Sequence, residues 1–587
     1  PIFDHWSLLA GDVDKALLYW LRHGAPAGID QEIPTSGIFP ESAQEPDKEF
    51  SMKDFDAEHV NYQSMEDSPH GEEVLRKLEE SGYIKRFSSL RAAKIYLKGA
   101  DPILSKLALI STFKEDVWKH RLVLDCRVSG ANSATRKFER IVIPRIWDVI
   151  RDSLNLKSTQ KEGEQLVYFV CDFADAFYKI PLDHREQKYF TILYKGSIYI
   201  WNRVGQGSLN GPTLFGRLSA LVGRFSQSLF PAAKYKVQVY TDDPIVSIMA
   251  KPEEADRMIA TLIMCWLILG FDMSFHKAQR GPKVNWVGYA LSDHPKEITA
   301  QIKESFMADL KVSTNELLAR NFIGIKKLMS YTGRCSHVSN LLFCWRPFLD
   351  PLWAASSGKD KRVEGLSTIS GKSWTKLPGK KRKKTRAVRG TVWTKQVKAS
   401  LLWIRSFLAG VHGPLKRSWS VDYFEQTDSL MMVLDASPFG FGGVLVDGDS
   451  IVAYFADKVT KDDVNIFRQK VGDSAGQQIW ECLVVLIALK VWQHLWLPRK
   501  TAITIRSDNY SALAMTARLK VPSSANIIGR EVALIYSHAC FEPRFVDHVP
   551  GVTNVLPDDL SRLADTSSPH DLPAQLKDIA PTHVPRR

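Results

Sequence analysis

The stretch Val237-Gln238-Val239-Tyr240-Thr241-Asp242-Asp243-Pro244-Ile245-Val246-Ser247-Ile248 decides how this chain is read. Strand-forming residues flank Thr241, Asp242 and Asp243, and carboxylates inside such a run are costly unless the chain turns there and solvent or a cation meets them. The segment therefore predicts a β-hairpin with two acids at its tip. An Asp-Asp pair in a turn is by itself most often a solvated turn, so the weight falls on what the rest of the chain places beside it.

Working upstream, Tyr168-Phe169-Val170-Cys171-Asp172 is an apolar strand ending in a third carboxylate, followed by Phe173-Ala174-Asp175-Ala176-Phe177-Tyr178. A strand closing on Asp delivers a hard oxygen ligand to a sheet edge, and the turn after it lays Phe177 over whatever binds there. Between strand and hairpin, Gly205-Gln206-Gly207-Ser208-Leu209-Asn210-Gly211-Pro212 is a Gly-rich loop entering a long helix. Such a loop suits close approach by a base pair or nucleotide, and is otherwise an ordinary turn. Earlier still, residues 110–114 and 120–127 read as two strands joined by a tight polar turn. That turn would bring Lys114 and Arg121 near each other, as surface charge or as a clamp for a triphosphate.

The order is informative. Asp172-x-x-x-Ala176-Phe177, then Gln206-Gly207-x-x-x-Gly211-Pro212-Thr213-Leu214-Phe215, then Tyr240-Thr241-Asp242-Asp243 resembles motifs A, B and C of reverse transcriptases. Lys114, Arg121, Asp125 and Arg127 resemble that family's triphosphate-gripping fingers motif. Leu269 to Lys277 and Val284 to Tyr289 resemble its motif D lysine and primer grip. Leu328 to Leu352 is similar to the thumb helices of retroelement enzymes, gypsy-like or DIRS-like. The resemblance implies a right-hand α+β polymerase of fingers, palm and thumb. It also implies two Mg²⁺, or Mn²⁺ in substitution, held by Asp172, Asp242 and the auxiliary Asp243. Lys114 and Arg121 would face the β- and γ-phosphates, and Gln206 and Gly207 would approach the nucleotide. Lys277 would protonate pyrophosphate, and Phe177 would act as the gate that favours deoxynucleotides.

The last block repeats the pattern. Asp435 lies in an apolar strand, Glu481 near the start of an apolar helix, Asp508 at a strand end, and Asp558 in Pro557-Asp558-Asp559-Leu560-Ser561-Arg562. Each alone would most often be a cap or a solvated acid; together, over about 125 residues, they resemble the α/β ribonuclease H fold with its mixed sheet. The resemblance implies four metal-binding carboxylates, Asp435, Glu481, Asp508 and Asp558, holding two Mg²⁺. Asp559 competes with Asp558, which the alignment of Pro557-Asp558-x-Leu-Ser-Arg with the family's ending favours. The family's second histidine, after His548-Val549-Pro550-Gly551, is Val552 here.

Composition sets the frame. At 587 residues and 44% hydrophobic content the chain can bury several cores. Seven scattered Cys with no CxxC pair argue against disulfides and zinc ribbons, and for a reducing, intracellular setting in cytoplasm or nucleus. The longest nearly apolar run, Met258 to Phe271, is broken by Thr261 and falls short of the ~18–20 residues of a membrane span. It reads as a buried helix, and no membrane partner is expected. The net charge is +13, and fourteen Lys/Arg against Asp360 and Glu364 between Lys359 and Lys398 carry +12 of it. This basic window, with Lys380 to Lys384 at its centre, is either a nuclear-localisation or nucleic-acid segment or a solvated linker.

From Asp30 to Glu73 thirteen acids face Lys48 and Lys53, which reads as a loop-rich or partly disordered extension. Within residues 1–29 one helix is expected, Asp12 to His23, with Asp12 as N-cap and Gly24 as stop. A further helix spans roughly Gly71 to Ser81. Beginning on Pro1, the chain reads as part of a longer product with no visible targeting signal.

The expected divisions are an N-terminal extension (1–100), fingers and palm (101–294), thumb (295–355), basic connection (356–425), ribonuclease H-like domain (426–570) and tail (571–587). The expected function is an RNA-directed DNA polymerase with ribonuclease H, acting on RNA template, DNA primer, RNA–DNA hybrid and deoxynucleoside triphosphates. The competing expectation is a catalytically silent, domesticated nucleic-acid-binding scaffold.

Overall fold

The structure is a computed structural model that describes residues 1–42, 52, 55–56, 58–114, 117–137, 139–357, 390–421, 430–496, 503–521, 523–538, 545–568 and 570–585. The chain forms two units, Pro1–Val287 and Gly288–Arg587.

In the first unit the strands are β1 (Ile84–Phe87), β2 (Lys106–Lys114), β3 (Val117–Asp125), β4 (Gln165–Val170), β5 (Thr191–Tyr194), β6 (Ser197–Trp201), β7 (Tyr235–Tyr240), β8 (Asp243–Ala250), β9 (Gln279–Gly281) and β10 (Lys283–Trp286). The opening stretch is the β7–β8 hairpin, with Tyr240 paired to Asp243 across a Thr241-Asp242 turn. Its sheet has the order β7-β8-β4-β9, and β1-β6-β5 and β2-β3 form smaller sheets. β4 is buried from Leu166 to Val170 and β8 from Pro244 to Ala250, as continuous apolar runs covered on both faces should be. The Gly211–Ser228 helix starts with Pro212 in its first turn and buries Leu214, Phe215, Leu218, Leu221, Val222 and Phe225. The helix expected from the Met258 run spans Pro252–Ile268 and is buried on one face only, since Met264, Leu267 and Ile268 are exposed.

Residues 1–42 depart from the expected loose extension. The helix Lys15–His23 is capped not by Asp12 but by Asp14, whose side chain accepts from Leu17 N–H at 3.2 Å. Leu17, Trp20, Ala25, Ala27 and Ile33 join the main core. Two aspartates of this segment pair with arginines of the Gly211–Ser228 helix. Arg217 Nε donates to Asp14 at 2.7 Å with both side chains at 0% exposure, and Arg224 Nε donates to Asp12 at 2.7 Å. Much of the remaining acidic tract, residues 43–51, 53, 54 and 57, lies outside the described residues.

The second unit opens with β11 (Tyr289–Asp293), β12 (Glu297–Ile302), β13 (Phe322–Gly324), β14 (Thr391–Trp393) and β15 (Lys416–Ser420). Of its helices Glu304–Leu318, Ile325–Leu341 and Arg346–Ser356, the last two cover the stretch Leu328–Leu352. The stretch expected as a connection is built into this part. β14 pairs with β13, β15 pairs with β12, and the helix Thr394–Leu408 packs on Glu304–Leu318 and Arg346–Ser356. Its Val397, Leu401, Ile404 and Leu408 are buried, a helical period that the basic residues nearby obscure. The basic centre at residues 380–384 lies outside the described residues.

Then come β16 (Leu430–Ala436), β17 (Gly440–Asp447), β18 (Ser450–Lys458), β19 (Thr504–Ser507) and β20 (Phe545–His548), in the order β18-β17-β16-β19-β20. The first three strands are antiparallel, and β19 and β20 add in parallel, giving the mixed ribonuclease H-like sheet that was expected. Ser474–Val491 is long and apolar enough to cross a membrane by composition alone. Two thirds of it is buried in the fold (67%), as the core helix Gln477–Val491 behind β16. Residues 571–585, expected as a tail, pack instead: Leu576 is buried with Val444, Tyr454 and Leu560, and Thr582 N–H bonds to Tyr454 O at 2.7 Å. That covers part of the β18 edge, which would otherwise invite strand pairing. Among the described residues all six cysteines are free.

Two candidate active sites

The first site is built by β4, the β7–β8 tip and the loop after the Pro252–Ile268 helix. Phe173 N–H, one residue past Asp172, donates to Asp242 O at 2.9 Å, which ties the strand end to the hairpin tip. Two further anchors hold the tip: Ser219 Oγ donates to Thr241 O at 2.7 Å, and Trp286 Nε1–H to Asp243 O at 2.9 Å. Thr241 sits at φ 54°, a strained setting for a β-branched residue that such anchoring sustains. Neither Ser219 nor the Trp286 bond had a sequence signal, because each depends on the neighbouring element and not on local pattern.

The electrostatics follow from packing. Asp243 is pushed up to about 6 by burial, with Asp242 beside it adding to the rise. Thr241 Oγ1 donates to Asp242 Oδ1 at 2.9 Å, and Lys277 Nζ is ion-paired to Asp172 Oδ2. Asp172, Asp242, Asp243 and Lys277 thus come into one neighbourhood. Among the described residues, however, the only acids or metal-type ligands offering three atoms within 4.8 Å of one another are in the second unit. Phe177 lies in the turn after Asp172 with its ring 5.2 Å from that of Phe215.

The glycine loop is pinned to β3. Leu124 N–H donates to Gln206 O at 3.1 Å, Asn132 Nδ2 to Gly207 O at 3.0 Å, and Leu209 N–H to Asn132 Oδ1 at 3.0 Å. At Gly207, φ is 119° and a Cβ would stand 1.8 Å from Leu124 O, so only glycine fits. Beside it a cavity of about 880 Å³ is lined by Tyr62, Asp125, Arg127, Asn132 and Gly207. The Arg127 guanidinium holds the Asp125 carboxyl below its ordinary value, and Tyr62 Oη donates to it at 2.8 Å.

The expected proximity of Lys114 and Arg121 is not met. Arg121 pairs with Ile110, and Lys114 with Val117, four ladder positions away or roughly 13 Å at the usual strand rise. The ribbon runs longer than expected, which separates its ends. Arg121 is exposed; the Lys114 side chain lies outside what the structure describes.

The second site gathers Asp435 on β16, Glu481 on the Gln477–Val491 helix and Asp508 just past β19, with one ligand atom from each within 4.8 Å of the others. Asp435 and Glu481 are 5% and 3% exposed. Burial pushes Asp435 up to about 7 and Glu481 well above the usual range, and burial also raises Asp508. Ser561 Oγ and Asn554 Nδ2 donate to Asp435 at 2.9 and 3.3 Å, and Gln477 Nε2 to Glu481 Oε1 at 2.7 Å. Glu481 Oε2 is buried with no hydrogen-bond partner among the described residues. Three crowded carboxylates, each raised by burial, and a buried oxygen with no partner among the described residues fit a divalent cation, whose charge would offset the crowding. Asp558 is not in this group of three; Arg562 Nε donates to it at 2.8 Å, though its charge still raises Asp435 and Asp508. His548 Nε2 lies 3.0 Å from Asp508 O and its ring stacks on Tyr510 at 4.2 Å, while Val552 is 87% exposed.

Residues 114–291, which include every acid of the first site, match the family model described as reverse transcriptase (RNA-dependent DNA polymerase). This segment is reverse transcriptase-like. The chain is 30% identical over 138 residues to the Gag-Pro-Pol polyprotein of Human T-cell leukemia virus 2, covering 22% of this chain and 9% of that protein. It is 27% identical over 166 residues to the Gag-Pro-Pol polyprotein of Bovine leukemia virus (isolate Australian), covering 26% and 11%. The chain thus spans about a tenth of the length of these relatives. A solved foamy viral protease-reverse transcriptase dRH in complex with ds DNA is 17% identical, with a TM-score of 0.42 over 85% of this chain and 72% of that one. Neither the family match nor these retroviral relatives separates gypsy-like from DIRS-like placement.

Proposed function

We propose that this chain is an RNA-directed DNA polymerase with a ribonuclease H domain, serving the replication of a retroelement inside the cell, in cytoplasm or nucleus. The observation that carries the reading is the Phe173–Asp242 hydrogen bond, which sets Asp172 beside the Asp242-Asp243 tip within the reverse transcriptase-like segment. Asp172 and Asp242 would hold divalent cations there with Asp243 as auxiliary; an all-oxygen donor set favours Mg²⁺, with Mn²⁺ as a substitute. Such ions, when bound, stabilise charge on the attacking and leaving oxygens of phosphoryl transfer.

The remaining work falls to the chain itself. Arg121, exposed on the β2–β3 ribbon, neutralises triphosphate oxygens without the paired Lys114 that was expected, since Lys114 stands four ladder positions away, and Lys277 hands a proton to the departing pyrophosphate. The Phe177 ring, backed by Phe215, crowds a 2′-hydroxyl and selects deoxynucleotides, while Gln206 and Gly207 let backbone approach the nascent pair. In the second unit Asp435, Glu481 and Asp508, with Asp558 nearby, would hold the metal for hydrolysis of the RNA strand of a hybrid. Arg562 must release Asp558 if that carboxylate is to take part. Hybrid recognition rests on phosphates, 2′-hydroxyls and duplex shape.

Primer extension tests the reading. With an RNA template, a DNA primer, deoxynucleotides and Mg²⁺ the chain should make full-length DNA, and ribonucleotides should be poor substrates. Tight hybrid binding with no extension would sink the enzyme and leave the silent scaffold.

A further inference from the structure

The β2–β3 ribbon has two unlike faces, and only one is used by the proposed chemistry. Paired residues share a face, so the register places Leu109, Ser111 and Phe113 with Leu122, His120 and Trp118 on one side. Ile110 and Thr112 lie with Arg121 and Lys119 on the other. The first face begins in the core, where Leu109 and Leu122 are buried, and runs out into solvent as aromatic rings. Phe113 and Trp118 are 58% and 59% exposed, with ring centroids 5.3 Å apart. Trp118, His120 and His70 follow as near-parallel rings, at interplanar angles of 10° and 22°. Ser111 Oγ lies 2.8 Å from His120 Nδ1, which steadies that ring.

Two large aromatic side chains left in water, their rings tilted 52° to each other, with the near-parallel His120 and His70 rings behind Trp118 and with Lys119 and Arg121 on the ribbon's reverse face, fit one partner chemistry. Unpaired nucleic-acid bases stack on aromatic faces while their phosphates are drawn to nearby Lys and Arg. We infer that the Phe113–Trp118–His120 face is a stacking platform for the bases of a single-stranded template; naming that strand the template rests on the polymerase reading. Lys119 and Arg121 on the reverse face supply the salt-dependent attraction and the aromatic face supplies a salt-insensitive share.

Equilibrium binding of the full chain without nucleotide tests this, using two labelled primer–templates with the same duplex, one blunt and one with an unpaired template extension of about ten nucleotides. Trp118→Ala and Phe113→Ala should each weaken binding of the extended substrate about fivefold or more, the low end of one base–aromatic stack, and leave the blunt one unchanged. The dependence on salt should keep its slope in these variants, and Trp118→Phe should bind the extended substrate nearly as wild type does. Arg121→Ala should lower the slope by about 0.7–0.9. Equal loss on both substrates, or no loss on either, overturns the platform. A chain that fails to extend primers yet shows the extension-specific loss would remove the polymerase reading and keep the platform; normal extension without that loss does the reverse.

Discussion

Single residues carry most of the first site's geometry. Gly207 has no substitute, because its φ of 119° and its approach to Leu124 O leave no room for a methyl group. Gly207→Ala should cost about 1–3 kcal/mol of stability through overpacking. It should also lower primer extension roughly a hundredfold by displacing the loop, with RNA cleavage in the second unit unchanged in a hybrid-degradation assay. The second site is governed by burial. Asp435, lifted from 3.8 to about 7, is neutral in folded and unfolded chains below its ordinary value, so its contribution to stability is complete there. That contribution is lost as pH rises through about 7, and the raised Glu481 and Asp508 act in the same direction. A divalent cation needs the ionised acids, so the rise in melting temperature on adding Mg²⁺ should grow between about pH 5 and pH 8. Calorimetry with Mg²⁺ or a chelator checks this, and Asp435→Asn should abolish the response of that unit while raising its metal-free stability at the alkaline end. The acids themselves were legible from strand ends and spacing. Ser219, Asn132, Asn554 and Ser561, which hold the sites, were not, because a lone polar residue in a helix or loop has no local pattern that marks its distant partner.

At the scale of elements, the N-terminal helix Lys15–His23 and the helix Thr394–Leu408 are the instructive departures. The role of residues 1–29 was unreadable from their sequence, yet Asp14 meets Arg217 in a fully buried pair that also stacks on Trp20, 4.3 Å from the ring centroid. Removing one partner leaves a buried charge, so Asp14→Asn should destabilise the first unit by about 3–5 kcal/mol in denaturant melts, whereas Arg22→Ala on the exposed face should change it by under about 1 kcal/mol. The helix Thr394–Leu408 was hidden by charge: the basic excess over residues 359–398 suggested a nuclear-localisation or nucleic-acid segment or a solvated linker, while the apolar period beginning at Val397 specified packing. Elements whose pattern stood alone, such as the β7–β8 hairpin and the apolar helix Gln477–Val491, were legible because local alternation and length already named their type.

For the whole molecule, each unit carries one acidic site, so the two activities should be separable. Asp242→Asn should abolish DNA synthesis and spare RNA cleavage; Asp435→Asn should do the opposite, measured on the same hybrid with separate labels on primer and template. Loss of both activities in either variant would mean that the sites depend on each other. The sequence by itself determined the order of the motifs along the chain: three acids and a glycine loop that resemble a polymerase pattern, then four acids that resemble a ribonuclease H pattern. It could do so because strand-end acids and glycine loops are local features. Only the tertiary structure decided that residues 1–42 belong to the first core and that residues 391–420 and 571–585 complete the second unit. It alone showed Lys114 and Arg121 standing at different levels of one ribbon, and Asp558 held by Arg562 outside the trio of Asp435, Glu481 and Asp508. These outcomes depend on ion pairs, ladder register and desolvation between residues far apart in sequence, terms that no local pattern records.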